Sequence, residues 1–425
     1  MSPPFAPRKL MPVGVVTTWM LLVAYVVLTL PTQWVKAVLP YYGDVVFGVI
    51  ILLVAIPYLF LRSFWRGTSK WALGLMLYGM IVTYLTRGAE GSWALGWREF
   101  ILDAFLFLAV AFGIKLGEAS FESLRTLVSR VSWVCVLMGT ANILLLRFGY
   151  VQIDADASNR VVSISLFYVI SPLLFLVPLQ VVFRLGLLLP ILSVTMVGLV
   201  AYFTLTRSIA IAFFLLLAQL LLLLLRRAMG AFATGFTVWL FLILPLMGLG
   251  GYYMMGSITD ARGMDSIINT TGRSLEFEEF LDQMTTRGWV TGNGLGTGFL
   301  MNGYDPTTGA PMKVITTGLH YSTLTPVLKL GAVLTGFLWL ALIYAMGRVF
   351  FGPGEIDQKA VILVPFNYAV VYSISGGWLS SAYLIFGLAI HLLFNFRTFA
   401  ETAAAAAQPH PPDGRPLLHR RHRHL

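Results

Sequence analysis

Charge is what this chain has little of: Asp, Glu, Lys and Arg make up 11% of its 425 residues, while hydrophobic residues make up 58%. An ordinary soluble domain carries about 25% charged residues, so lipid rather than water is the expected solvent. Cysteine is nearly absent. Its one copy, Cys135, lies inside an apolar run, which excludes an intrachain disulfide and a cysteine-based metal site. Strand-type alternation is missing from runs such as Ala212-Phe213-Phe214-Leu215-Leu216-Leu217, which excludes a transmembrane barrel. The first apolar run follows Arg8 and Lys9 as in a signal peptide. Leu30-Pro31-Thr32-Gln33 offers no small-residue cleavage site, so that run is expected to stay as a first helix.

What is present is a recurrence of apolar stretches, each long enough to cross a hydrocarbon core about 30 Å thick at about 1.5 Å per residue. Backbone groups in lipid must pair within their own segment, so the expected fold class is all-α, a polytopic membrane protein. Twelve spans are predicted, at 13–30, 43–61, 71–86, 100–116, 131–148, 161–183, 185–205, 208–225, 234–255, 322–347, 359–375 and 379–396. The net charge of +10 is spread in short clusters between apolar runs, which points to membrane topology and away from nucleic acid as a partner. Even-numbered connections are basic: Arg62, Arg66 and Lys70; Lys115, Arg125 and Arg130; Arg184; Arg226 and Arg227; Arg348 and Lys359. Odd-numbered ones mix signs, as in Arg87 with Glu90. This asymmetry predicts cytoplasmic termini and outward odd connections.

Two segments depart from short links, giving four regions: helices one to nine over 1–255, a loop over 256–320, helices ten to twelve over 321–396, and a tail over 397–425. The tail, with Ala403 to Ala407, Pro409, Pro411, Pro412 and His419-Arg420-Arg421-His422-Arg423-His424, cannot build a core and reads as disordered and cytoplasmic. In the loop, Phe277, Phe280, Leu281 and Met284 recur at helical spacing, which predicts an amphipathic helix over about Ser274 to Arg287. Gly292-Asn293-Gly294-Leu295-Gly296-Thr297-Gly298 follows, rich enough in glycine for tight turns or close backbone approach. No Gly-Lys-Ser/Thr follows this run, which argues against a nucleotide-binding loop.

An outward-facing site has no access to ATP, so an enzyme there needs an activated substrate. Lipid-linked diphosphate sugars fit, since they carry their own leaving group and require cations for the diphosphate and a base for the acceptor hydroxyl. Arg207, in Leu205-Thr206-Arg207-Ser208, lies at the outer junction of spans seven and eight, where it either snorkels to headgroups or meets an anion. Arg273 sits where the loop helix should begin, so that guanidinium and helix N-terminus could address one anion; the alternative is a solvated loop arginine. Arg160, Arg287 and Lys313 are weaker candidates of the same kind. Of six histidines, four belong to the tail and His391 to span twelve, which leaves His320 on the outer face. It is a candidate general base or, alternatively, an interfacial residue bonded to headgroups.

In order, Arg207, Arg273, Gly292-Asn293-Gly294-Leu295-Gly296, and His320 with Gly331 eleven positions later resemble the O-antigen ligase and polymerase family over about residues 200–345. Tyr321 stands where that family commonly has Asn, Ser or Gln, and Leu334 where a second glycine is frequent. The resemblance implies a glycosyltransferase with a GT-C-like membrane fold, a bacterial inner-membrane location and a periplasmic loop. It further implies no metal and no cofactor, an undecaprenyl-diphosphate-linked glycan donor, and as acceptor a second lipid-linked glycan (polymerase, favoured by Tyr321 and Leu334) or lipid A-core (ligase). A chain-length regulator is a further partner of the polymerase version. Arg207 and Arg273 would hold the diphosphate and His320 would activate the acceptor hydroxyl. The rival from another class is a twelve-span secondary transporter, for which Asp103 is the clearest ionisable residue inside a span.

Overall fold

The computed structural model describes residues 15–30, 42–59, 69–86, 93–148, 154–155, 161–162, 164–204, 207–229, 277–304, 311–316, 324–372 and 380–407. The predicted span 234–255, as well as Arg160, Arg273 and His320, lies outside these residues. The first eight helices are α1 (Val15–Thr29), α2 (Tyr42–Leu59), α3 (Ser69–Thr86), α4 (Trp93–Leu116), α5 (Phe121–Arg147), α6 (Ile164–Val182), α7 (Leu188–Thr204) and α8 (Arg207–Met229). Within the loop 256–320 lies α9 (Thr286–Thr291), and after it come α10 (Thr325–Leu330), α11 (Ala332–Phe351), α12 (Ile356–Lys359), α13 (Leu363–Tyr372), α14 (Ser380–Phe394) and α15 (Phe396–Ala407). Two of these, α5 and α11, are long and apolar enough by themselves to cross a membrane, and α14 with α15 forms a third candidate if the bent pair counts as one span. Shorter apolar helices run over Thr17–Thr29, Leu166–Val182, Leu188–Thr204 and Ile209–Leu221.

Four departures from the sequence reading have physical causes. The chain is helical, but it also carries two antiparallel hairpins, β1 (Asp154–Ala155) with β2 (Val161–Val162), and β3 (Phe299–Tyr304) with β4 (Pro311–Thr316). The second falls inside the loop expected to be only partly helical. Its strands alternate (Phe299, Met301; Met312, Val314, Thr316) around a segment containing Asp305-Pro306 and Gly309, a hairpin signal that the helical periodicity upstream overshadowed. The amphipathic helix expected to reach Arg287 ends at residue 283, because the Thr285 side chain accepts the Gly288 N–H at 3.0 Å and caps a separate helix, α9. Span ten breaks at Gly331, whose φ of 84° separates α10 from α11. The tail is not disordered from residue 397, since α15 bends 86° away from α14 and buries Phe399 and Ala403.

Gly113 on α4 and Gly117, just past its end, pack against α14, where a Cβ on Gly113 would lie 2.1 Å from Leu384 O and one on Gly117 2.5 Å from the His391 Cβ. Ascending positions on one helix match ascending positions on the other, so α4 and α14 run parallel. A Cβ on Gly387 would in turn meet Val110 O at 2.2 Å, so the two backbones touch, the arrangement small residues permit between helices in lipid. Polar side chains fasten the remaining helices. Asn142 Nδ2 on α5 donates to Thr29 O at the end of α1 (2.7 Å), and Gln180 Nε2 on α6 reaches Ser132 Oγ on α5 and Ser193 Oγ on α7 (2.8 and 2.9 Å). Asn367 on α13 donates to Leu174 O on α6 at 2.8 Å and pairs with Gln219 on α8.

One end of the bundle brings together the turns after α4, α6 and α11 with α15. Phe121, Phe183 and Phe399 form a ring cluster with centroids 5.3 to 5.8 Å apart, and Arg184 pairs with Glu355. Lys115 is buried there, not solvated as its place in a basic connection suggested, and pairs with Glu118. Ring packing of Phe399 against Phe121 and Phe183 is what holds α15 across this end.

Since the α4–α14 crossing leaves no room for a side chain, Gly113→Ala and Gly387→Ala are expected to force the helices apart and cost about 1–3 kcal/mol. Gly336→Ala on α11, whose added Cβ would meet nothing within 4 Å, should leave stability unchanged or raise it. Thermal unfolding of the three purified variants in one detergent checks the ranking.

Candidate functional site

At the opposite end, the segment 291–298 lies between α3, the start of α4, and α10. The sequence dictates its path through backbone freedom. Gly292, Gly294 and Gly296 have φ of 74°, 90° and 70°, a region that disfavours side chains. A Cβ on Gly294 would lie 2.4 Å from Thr83 N, and one on Gly292 would lie 2.4 Å from Lys329 O. Gly331, across the seam, has the same constraint, because a Cβ there would sit 2.3 Å from Val290 O.

The run's polar groups are engaged one by one. Asn293 N–H donates to Leu328 O (2.9 Å) and Gly294 N–H to Lys329 O (3.0 Å), so the glycine run caps the carbonyls that the break at Gly331 leaves without helical partners. Leu295 N–H donates to Gly79 O at 3.3 Å, and Gly296 N–H to Asp103 Oδ2 at 2.7 Å. Hydroxyls of α3 serve the carbonyls: Tyr78 to Thr291 O (2.9 Å), Thr83 to Leu295 O (2.8 Å) and Thr86 to Asn293 O (3.1 Å). Leu295, fully buried, seats over Gly79, where any Cβ would lie 2.7 Å from its Cδ2.

Two charges close the seam. Lys329 Nζ lies 3.0 Å from Asp103 Oδ2 and donates to Thr297 O at 2.6 Å, with only 5% of the lysine side chain exposed. A charge so buried is tolerable only when paired and hydrogen-bonded, and both conditions are met. Beside it, Phe280 and Met284 pack with Val327 and Leu328 into a small apolar core that includes the ring pair of Phe280 with Trp289, centroids 5.8 Å apart. The face predicted for the amphipathic helix is therefore the packed one, except that Leu281 is 40% exposed.

The expected site residues fall around this seam to different degrees. Arg207 begins α8, three residues beyond Thr204, the end of α7. Arg287 lies in α9 and is exposed. Lys313 sits within β4 opposite Asn302. His320 falls between the end of β4 at Thr316 and the start of α10 at Thr325, in a stretch outside the described residues, as are Arg160 and Arg273. Among the described residues no group of three or more His, Cys, Asp or Glu is placed to hold a metal ion. Sequence reading singled out Asp103 as an ionisable residue inside a span and missed its pairing with Lys329. It also missed the α3 face of Tyr78, Gly79, Thr83 and Thr86, whose signal was a polar and small stripe recurring at three to five residues on an apolar helix.

Positive φ and a filled Cβ position coincide at Gly294 and Gly331, so Gly294→Ala and Gly331→Ala should each cost on the order of 1–3 kcal/mol or more. Thr86→Val, which leaves the Asn293 carbonyl without its donor, should cost about 1–3 kcal/mol; limited proteolysis of the outer loop, quantified against intact chain, measures both effects. The seam has to be interpreted on its own residues, because comparison of the chain with protein-family models, with curated proteins and with solved structures finds no match in any of the three.

Proposed function

We propose that the protein is a polytopic bacterial inner-membrane glycosyltransferase that moves a glycan from undecaprenyl diphosphate to a sugar hydroxyl at the periplasmic face. The acceptor is a second lipid-linked repeat unit, which makes it a polysaccharide polymerase. The observation that carries this reading is the link between two motifs of the resemblance. Gly331, eleven residues after His320, backs directly onto Gly292 in the glycine run, with the Gly331 Cβ position 2.7 Å from Gly292 N. Residues that define the family-like pattern in sequence are thus in contact in space.

In this reading twelve spans place the seam and the outer ends of α3, α4 and α10 on the periplasmic side, beside the junction of α7 and α8 that bears Arg207. Arg207 and Arg273 hold the diphosphate and offset the charge that develops on it as the glycosidic oxygen leaves. His320 takes the proton from the acceptor hydroxyl as its oxygen bonds to the anomeric carbon, and in-line attack inverts that centre. Arg160, Arg287 and Lys313 supply further positive charge around the anionic donor. No metal or cofactor takes part in the step as proposed.

A transporter reading draws on one observation, the helix broken at Gly331 beside a buried ion pair, a feature that such proteins use at substrate sites. Against it, the backbone groups freed by this break are already bonded to the glycine run.

Purified protein given lipid-linked repeat units should produce a ladder of glycan lengths, whereas a single transfer to lipid A-core would identify a ligase. His320→Ala should lower the rate on the order of 10²–10⁴-fold. Arg207→Ala and Arg273→Ala should each weaken turnover of the diphosphate-linked donor. A normally inserted His320→Ala protein with full glycan output would overturn the catalytic assignment, and substrate accumulation in proteoliposomes without any glycan product would favour transport.

A further inference from the structure

The Asp103–Lys329 pair joins three pieces of chain that are far apart in sequence. Asp103 belongs to α4, Lys329 to α10, and both touch the glycine run, through Gly296 N–H on one side and Thr297 O on the other. Stability alone does not account for it. Removing two charges to the interior of a bundle is costly, and an apolar pair of similar volume generally serves as well or better. What an ion pair with directed hydrogen bonds adds is a single geometry. Lys329 must face both a carboxylate and a carbonyl, and Asp103 must face both an ammonium and an amide, so neither the run nor α10 can slide past the other without breaking a charged contact.

The location of the pair gives this geometry a consequence. The run ends at Gly298 and β3 starts at Phe299. β4 ends at Thr316, and α10 starts at Thr325, four residues ahead of Lys329. The pair therefore grips the chain directly before the β3–β4 hairpin and directly after the stretch that contains His320. Both ends of the segment 299–324 are held at one point.

We infer that Asp103 and Lys329 are positioning residues: their ion pair is the lock that holds both roots of the segment 299–324 against α3, α4 and α10. The lock itself is independent of the proposed transferase activity; its effect on catalysis rests on that reading.

The test uses the full chain with Cys135→Ala and Leu295→Cys, the latter placing a thiol at a position that is fully buried under the seam. Labelling by a water-soluble maleimide should be slow in this background. Asp103→Asn or Lys329→Met should speed it on the order of tenfold or more, as local opening of the seam becomes easier. The double variant Asp103→Leu with Lys329→Met controls for general damage. It should unfold at a temperature close to that of the background, yet label fast, because it keeps the packing and loses the directed contacts. Lys329→Arg should restore slow labelling at least in part. In the glycan ladder assay, with Leu295 native, the same variants should lose kcat with little change in KM for the lipid-linked donor.

Equal labelling rates in every variant would show that the pair is not the lock. Fast labelling together with a native kcat would show that the lock does not support catalysis. If the native protein makes no glycan product at all, the transferase reading fails while the labelling rates still decide the lock.

Discussion

A helix that breaks inside a bundle must give its freed carbonyls to something, and here the rest of the outer end is organised by that need. At Gly331 the chain turns through a φ of 84°, and the carbonyls of Leu328 and Lys329 are met by the amides of Asn293 and Gly294. Two chains of backbone can come this close only without side chains, which is why glycine stands at 292, 294 and 331 together. The hydroxyls of α3 meet the carbonyls of Thr291, Asn293 and Leu295, and the carboxylate of Asp103 meets the Gly296 amide. Away from water, partners for the carbonyls freed at Gly331 are a condition of the break existing at all.

The other end of the protein solves its problem by side-chain packing. Rings of Phe121, Phe183 and Phe399 bring α5, α6 and α15 together, and Gly354 lets Phe396 pack close to the turn after α11. Between the two ends, α4 and α14 touch through backbone at Gly113 and Gly387, while amide side chains on α5, α6 and α13 tie neighbours at single points. Each such bond contributes little, about 0.6–2 kcal/mol in lipid. Close backbone contact and ring packing set the positions, and the amides fix the register.

Hydropathy made the helices legible because apolar length is a one-dimensional property. The predicted span 71–86 corresponds to α3 over Ser69–Thr86, and 185–205 to α7 over Leu188–Thr204. What it could not convey was interruption within an apolar run. Val327 to Leu340 reads as one uninterrupted hydrophobic helix with a lysine in it, and only the presence of Gly292 on a segment nearly forty residues away makes Gly331 a break instead of an ordinary interior glycine. For the same reason nothing around Lys329 pointed to its partner, Asp103, which lies in another helix altogether. The end of α14 was placed within two residues, yet α15 was missed, since an alanine-rich stretch is helical or not according to whether Phe399 finds a surface to cover. The two arginines and the histidine of the proposed site were named from ordered spacing alone, and of that pattern the described residues include Arg207, the glycine run and Gly331.

The glycine run also constrains where chemistry can occur. A phosphate cradle needs amides pointing at the ligand with no other acceptor, and here the N–H groups of Gly292, Asn293, Gly294, Leu295 and Gly296 already donate to protein oxygens. An anionic leaving group at this face must therefore be held by side-chain cations. Lys329, the nearest to the run, is itself committed to Asp103 and Thr297 O, and its charge is neutralised locally. Under the proposed function a diphosphate falls to cations outside the run, Arg207 at the head of α8 and Arg273, with Arg160, Arg287 and Lys313 adding charge. Under the proposed function, recognition and support are then carried by different chemistry: backbone and one buried ion pair hold the loop in place, and the guanidinium groups and His320 remain available for the substrate.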